Sequence, residues 1–196
     1  MTTKINRSRG RPRQFDPEQA TEVAQQLFHA RGYDDVSVAD VTDALGIKTP
    51  SFYAAFGSKA GLYNRVIERY GSNGAIPLGA LLRDDRPVAE CLTAVLEEAA
   101  RLYSADPDAT GCMVLEGCRS NDAEARTAAR AAHLAAEQAI QAYIARRHPE
   151  QAQEVALYVS TVMNGLSAKA RMGQSQASLL SSARLASLSL AQVLPP

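Results

Sequence analysis

The stretch SVADVTDALGIKTPSFYAAFGSK, residues 37–59, decides how this chain is read. Ser37 is a good helix N-cap, and Asp40 stands three positions on, where an acid can complete a capping box. Val38, Val41 and Leu45 then share one helical face. Gly46 permits a tight turn, and Ile47 supplies an apolar plug within it. Thr49-Pro50-Ser51 opens a second short helix, with Thr49 as cap and Pro50 at the first helical position. It runs only to Phe56, after which Gly57 and Ser58 stop the chain and cap it again. Helix, glycine turn, short helix over 37–56 is the layout of a helix-turn-helix. In that motif one helix is held out far enough to enter a major groove.

The neighbouring sequence extends the pattern in both directions. Phe15-Asp16-Pro17-Glu18 is a helix start with Asp16 as N-cap. Ala20, Val23, Ala24, Leu27 and Phe28 follow as one apolar stripe, ended by Gly32. Downstream, a fourth helix carries Leu62, Val66 and Tyr70. Gly, Pro and the Arg83-Asp84-Asp85-Arg86 cluster then fill 71–87, a natural boundary. Longer helical patterns follow at about 87–104, 122–147, 150–172 and 175–193, with a short segment near 111–119. No segment alternates with a period of two. The expected fold is all-α with about nine helices. It divides into a basic arm over 1–13, a helix-turn-helix head over 14–74 and a larger helical body over 75–196.

The formal net charge is zero, yet its distribution is uneven. Lys4, Arg7, Arg9, Arg11 and Arg13 crowd the first 13 residues without an acid, leaving sixteen Lys and Arg against twenty-one Asp and Glu elsewhere. A basic arm on a mildly acidic body points to a local polyanion contact. Arg9-Gly10-Arg11-Pro12 resembles the core of an AT-hook, in which arginines beside a thin glycine enter a narrow A·T-rich minor groove. Lys59 lies in the first turn of the fourth helix, where a cation opposes the helix dipole unless a phosphate sits nearby. Thr49, Ser51 and Tyr53 are polar residues at or near the exposed start of the short helix, placed for base edges or phosphates.

These residues together resemble the signature of the tetracycline-repressor (TetR) family, and the similarity extends to Ala24, Leu27-Phe28, Gly32-Tyr33 and Leu62-Tyr63. The specific match covers about residues 14–70; beyond it only length and helical layout agree. The resemblance implies a three-helix DNA-binding head joined to a body for ligand binding and dimerisation. It also implies a repressor that leaves a palindromic double-stranded DNA operator when a small molecule binds. Carried over by position, Tyr53 and Lys59 match phosphate contacts, and Ser37 matches a helix cap near a phosphate. Thr49, Pro50 and Ser51 match positions facing base edges. With Lys48 and the three arm arginines, Arg9, Arg11 and Arg13, they form the expected DNA-binding set. Pro50, Ala55 and Thr42 depart from the family's usual residues, so no operator sequence can be borrowed.

For the body, the same resemblance places a homodimer interface on the last two helices, with Val155, Val159, Val162, Leu166, Leu185 and Leu188 as its expected residues. An apolar effector pocket among the helices between 87 and 172 is expected from Tyr103, Met113, Leu115, Tyr143, Tyr158 and Met163. His133, alone in an Ala-rich helix, reads as a packed or surface residue. The stretch 111–118 carries Cys112 and Cys118, which on a helix stand about 9 Å apart along the axis and about 240° apart around it. That spacing disfavours a disulfide; the cysteines read first as buried packing residues, with Cys112, near a helix start, as a candidate redox or electrophile sensor.

Nothing in the sequence suggests an enzyme. There is no nucleophile–base pair, no paired carboxylates in an apolar setting and no phosphate loop. No metal spacing, cofactor motif, secretory signal or membrane-spanning run is present either, so the expected location is the cytoplasm. Two other readings stay open: a thiol-based regulator, and an architectural or partner-controlled DNA-binding protein without a small-molecule effector.

Overall fold

The computed structural model describes residues 16–195, all of whose regular structure is helical. The arm arginines Arg9, Arg11 and Arg13 lie outside the described residues. Ten helices follow one another: α1 (Pro17–Arg31), α2 (Val38–Leu45), α3 (Thr49–Phe56), α4 (Lys59–Asn73), α5 (Leu78–Leu81), α6 (Val88–Leu102), α7 (Met113–Gly117), α8 (Ala123–Ala145), α9 (Ala152–Arg171) and α10 (Gln176–Val193). The tenth, beyond the nine that periodicity suggests, is α5. One turn inside the Gly- and Pro-rich connection is too short to leave a periodic signature.

Local chemistry sets the ends of the first four helices. The Asp16 side chain accepts the Glu18 amide at 2.9 Å with Pro17 in the first turn, and Ser58 accepts the Gly61 amide at 2.8 Å. At α2 the capping box is complete: Asp40 receives the Ser37 amide at 2.7 Å while Ser37 Oγ accepts from the Asp40 amide at 3.1 Å. Gly46 takes a left-handed conformation, φ 63°, and Ile47 N–H reaches back to the Thr42 carbonyl at 3.0 Å. This Schellman-type close turns the chain sharply enough to cross α3 over α2. The start of α3 differs from expectation by one residue: extended Lys48 is the N-cap, so Thr49 and Pro50 are both helical.

The head is built around aromatic rings. Phe28, Tyr33 and Tyr63 meet with centroids 4.8–5.6 Å apart, and Phe52 and Phe56 anchor α3 beneath its exposed face. α1 lies against α4 and α2. In the body, α6 packs between α9 and α10, α8 lies on α9, and α7 lies on α8. Contacts of α4 with α8 join the two parts, and the buried residues form one continuous cluster from Ala20 to Leu194.

The body's apolar stripes sort differently from expectation. Val155, Val159 and Leu166 are buried within the chain itself, and Val162 is partly buried against the same core. Val155, Val159 and Leu166 stabilise α9 against its own neighbours and leave little surface for another subunit. Leu185 and Leu188, by contrast, are 65% and 68% exposed. They share the outer surface with Leu157, Tyr158 and Met172, of which the sequence singled out only Tyr158, and expected it in the pocket. Among the described residues no helix is long and apolar enough to cross a membrane.

Candidate functional site

Lys48, Thr49, Pro50, Ser51 and Tyr53 form one exposed face at the start of α3. The Lys48, Thr49 and Ser51 side chains and the Tyr53 hydroxyl make no hydrogen bond within the described residues, so they are free to meet another molecule. The helix that carries them is fixed. Phe52 and Phe56 are buried under it, and Arg65 of α4 donates to the Ala55 carbonyl at 3.3 Å while covering the Phe56 ring. An exposed polar edge on a clamped helix is the arrangement that groove reading needs.

Lys59 and Ser37 are differently placed. Two of the three Lys59 N–H groups go to the carbonyls of Tyr33 and Val36, at 3.0 and 2.9 Å, and its ammonium sits 3.9 Å from the Tyr33 ring centre. Lys59 therefore ties the α1–α2 loop to the start of α4, and Ser37 is engaged in the capping box. Sequence alone could not reveal this partnership, because the carbonyls lie 23 and 26 residues away.

The same loop is held from the body. Asp34 accepts three hydrogen bonds from the α7–α8 connection: Ser120 Oγ at 2.7 Å, the Asn121 amide at 2.9 Å and Asn121 Nδ2 at 3.1 Å. Tyr33 donates its hydroxyl to Asp122 at 3.2 Å. On the other side of α7, His29 Nε2 meets the Gly111 carbonyl at 3.0 Å, while Arg171 donates to the His29 carbonyl and lies beside Glu116. A short helix and its two flanks thus grip the C-terminal end of α1.

These contacts titrate. Burial pushes the Asp34 carboxyl up, but its bonds from Asn121 and Ser120 and the charge of Lys59 outweigh this and hold it below its ordinary value of 3.8. Asp122 is also held below 3.8, chiefly by the Ala125 amide. Burial lowers His29 from 6.5, partly opposed by the Gly111 carbonyl. The His29 contribution to stability is present above 6.5 and declines as pH falls below it; the aspartate contributions are present above 3.8 and lost as pH falls through the folded values. Thermal unfolding followed across pH should therefore show two successive losses on acidification. Asp34→Asn should shrink only the more acidic one.

A cavity of about 420 Å³ lies on the body side of α7, within the size range of small-molecule sites. Its walls come from α4 (Ile67, Tyr70), the 75–79 segment, Tyr103, α7 with its cap (Cys112, Val114, Leu115), α8 and α9. Of the expected pocket residues, Tyr103, Leu115 and Met163 line it. The other three do not. Met113 is core, Tyr143 gives its hydroxyl to the Arg83 carbonyl at 2.6 Å, and Tyr158 lies on the outer face, bonded to the Ala186 carbonyl. Each is an aromatic or thioether residue on the right helix but the wrong face. His133, read from sequence as a bystander, is in the wall with Glu137. Cys112, Cys118 and Cys91 are all free thiols; Cys112 lines the cavity and accepts a hydrogen bond from the Tyr70 hydroxyl at 3.8 Å. Burial pushes the Cys118 thiol up. Among the described residues no group of three or more His, Cys, Asp or Glu is gathered to hold a metal ion.

Residues 20–66 match the family model of bacterial regulatory proteins, tetR family. The HTH-type transcriptional repressor BdcR of Escherichia coli (strain K12) is 56% identical over 194 residues, spanning 99% of this chain and 98% of that protein. The HTH-type transcriptional repressor ComR of the same organism is 27% identical over 190 residues, 91% of this chain and 90% of its own. Among solved structures, a cysteine mutant of the TetR family transcriptional regulator CifR, complexed with 26-bp double-strand operator DNA, superposes with a TM-score of 0.82. It shares 28% identity over 90% of this chain and 98% of that one. Fold, exposed polar edge and relatedness along nearly the whole length agree: this chain belongs to the tetR family of bacterial regulatory proteins.

Proposed function

We propose that this protein is a dimeric transcriptional repressor of the cytoplasm that lays α3 of each subunit in a major groove of a palindromic operator. A small molecule entering the α7 cavity releases it. The observation that carries the reading is the free polar edge of α3, held on a clamped helix; kinship with a repressor at 56% identity supports it, as does likeness to an operator-bound regulator. The exposed apolar face of α9 and α10 is the surface that suits a two-fold partner, because isolated leucines of such exposure are common but a shared stripe is not. α7 supplies the coupling: one side lines the cavity, and its flanks hold Asp34 and His29 of the head. A molecule that displaces α7 changes the angle at which α1 and the reading helix are held.

The interface has a direct test. Leu185→Glu with Leu188→Glu should convert the dimer to a folded monomer in sedimentation and weaken operator binding at least a hundredfold, since each half-site then binds alone. An unchanged dimer would remove α10 from the interface. A second reading draws on Cys112 in the cavity wall: an electrophile could enter and alkylate its thiol. Cys112→Ser distinguishes the two, because it abolishes release only under that second reading.

A further inference from the structure

Resting on the reading of the cavity as the effector site, its lining identifies the chemical class of the molecule. The walls are mainly apolar, and their polar groups fall into two sets. At one end the Tyr70 and Tyr103 hydroxyls both turn to the Cys112 sulfur, so this set is satisfied internally. The other set is not. His133 and Glu137 on α8 and Ser160 and Asn164 on α9 all line the cavity, each pair at i, i+4 spacing on two helices that pack together.

Ser160 is the telling member. Five polar residues are buried among the described residues: Thr21, Thr42, Ser120, Ser160 and Ser167. Thr21 bonds the Pro17 carbonyl, Thr42 the Ala39 carbonyl and Ser120 the Asp34 carboxylate, while Ser167 accepts the Cys112 amide. Ser160, only 5% exposed, makes no hydrogen bond within the described residues and lines the cavity. Its hydroxyl is therefore available, as donor and acceptor, to a guest in the cavity.

Charge narrows the guest further. No Lys, Arg or Asp lines the cavity, and Glu137 is its one carboxylate, accompanied only by His133 at 3.9 Å. An anion would meet the Glu137 carboxylate with only the His133 ring beside it as a potential cation, which disfavours phosphate esters and carboxylates. A single positive charge would complete the stripe.

We propose that the cavity takes a small apolar amine, its protonated nitrogen held by Glu137 and Ser160 and its hydrocarbon body against Ile67, Leu115, Ile140 and Met163. Three probes of one shape test this on the full chain without DNA: 1-naphthylmethylamine, 1-naphthylmethanol and 1-naphthoate, by calorimetric titration. The amine should bind at least tenfold tighter than the alcohol, and the carboxylate should not bind measurably. Glu137→Gln should bring amine and alcohol within threefold of each other while leaving alcohol binding as it was, which also shows that the variant cavity is intact. Ser160→Leu, by filling the polar stripe, should weaken both. Equal binding of amine and carboxylate, an amine preference that survives Glu137→Gln, or no binding by any probe would overturn the proposal. Operator release is read separately. An alcohol or carboxylate that binds the cavity and frees the operator would sink the amine class and leave the ligand-released repressor standing. Amine binding that never disturbs the operator complex would do the reverse.

Discussion

Gly117→Ala is expected to lower the unfolding free energy by about 3 kcal/mol, the upper end of ordinary overpacking costs. A Cβ at Gly117 would come 2.1 Å from the Tyr63 hydroxyl oxygen and 2.8 Å from the Ala129 Cβ. Both neighbours are fully buried, on α4 and α8, so neither can move aside without shifting a helix. For a chain of this size the melting temperature should fall by about 10 °C. Tyr63→Phe removes the nearest atom, and the double variant should recover about half of the loss. A variant that melts within 2 °C of the parent would show that α7 is not pressed against α4 as described.

Lys59→Met should weaken operator binding by about tenfold or more at every salt concentration, without changing the slope of affinity against salt. The reason is its engagement with the Tyr33 and Val36 carbonyls. Hydrogen bonds from a charged donor contribute about 1.5–3 kcal/mol each, less where water can substitute, so losing both should cost the head about 2 kcal/mol and release the loop that positions α2. Lys48→Ala makes the contrast. Lys48 is exposed beside the reading edge without an intrachain bond, so its loss should reduce the salt slope by about one ion while leaving the melting temperature unchanged. If Lys59→Met flattened the slope and kept full stability, the lysine would be a phosphate contact, as its position in the sequence suggested.

The head was legible because its boundaries are written in neighbouring residues. Asp16-Pro17, the Ser37–Asp40 box, Gly46 and Ser58 each form their bonds within five residues. The body was legible as helices but only in part as faces. Val155, Val159 and Leu166 repeat with helical period whichever subunit buries them, and periodicity cannot distinguish a chain's own core from a partner's. On the outer stripe Leu185 and Leu188 were expected from the sequence, whereas Tyr158 was expected in the pocket and Leu157 emerged only once the inner face was assigned. The cavity's polar stripe and the Asp34 latch were hidden for a related reason. Their members stand dozens of residues apart and meet only through packing. The unusual stretch 111–118 was noticed for its cysteines, whereas its glycines carry the geometry. Gly111 turns the chain at φ 79°, and Gly117 lets α7 approach Tyr63.

Selection from a randomised double-stranded DNA pool, run in parallel with the parent chain and with Ser51→Ala, tests the central claim most directly. The parent should enrich a palindrome whose half-sites lie about one helical turn apart, or a multiple of it. Ser51→Ala should enrich half-sites of the same spacing with altered base preference at one or two positions. An enriched site unchanged by Ser51→Ala, or no enriched site for the parent, would contradict the assignment of α3 as the reading helix.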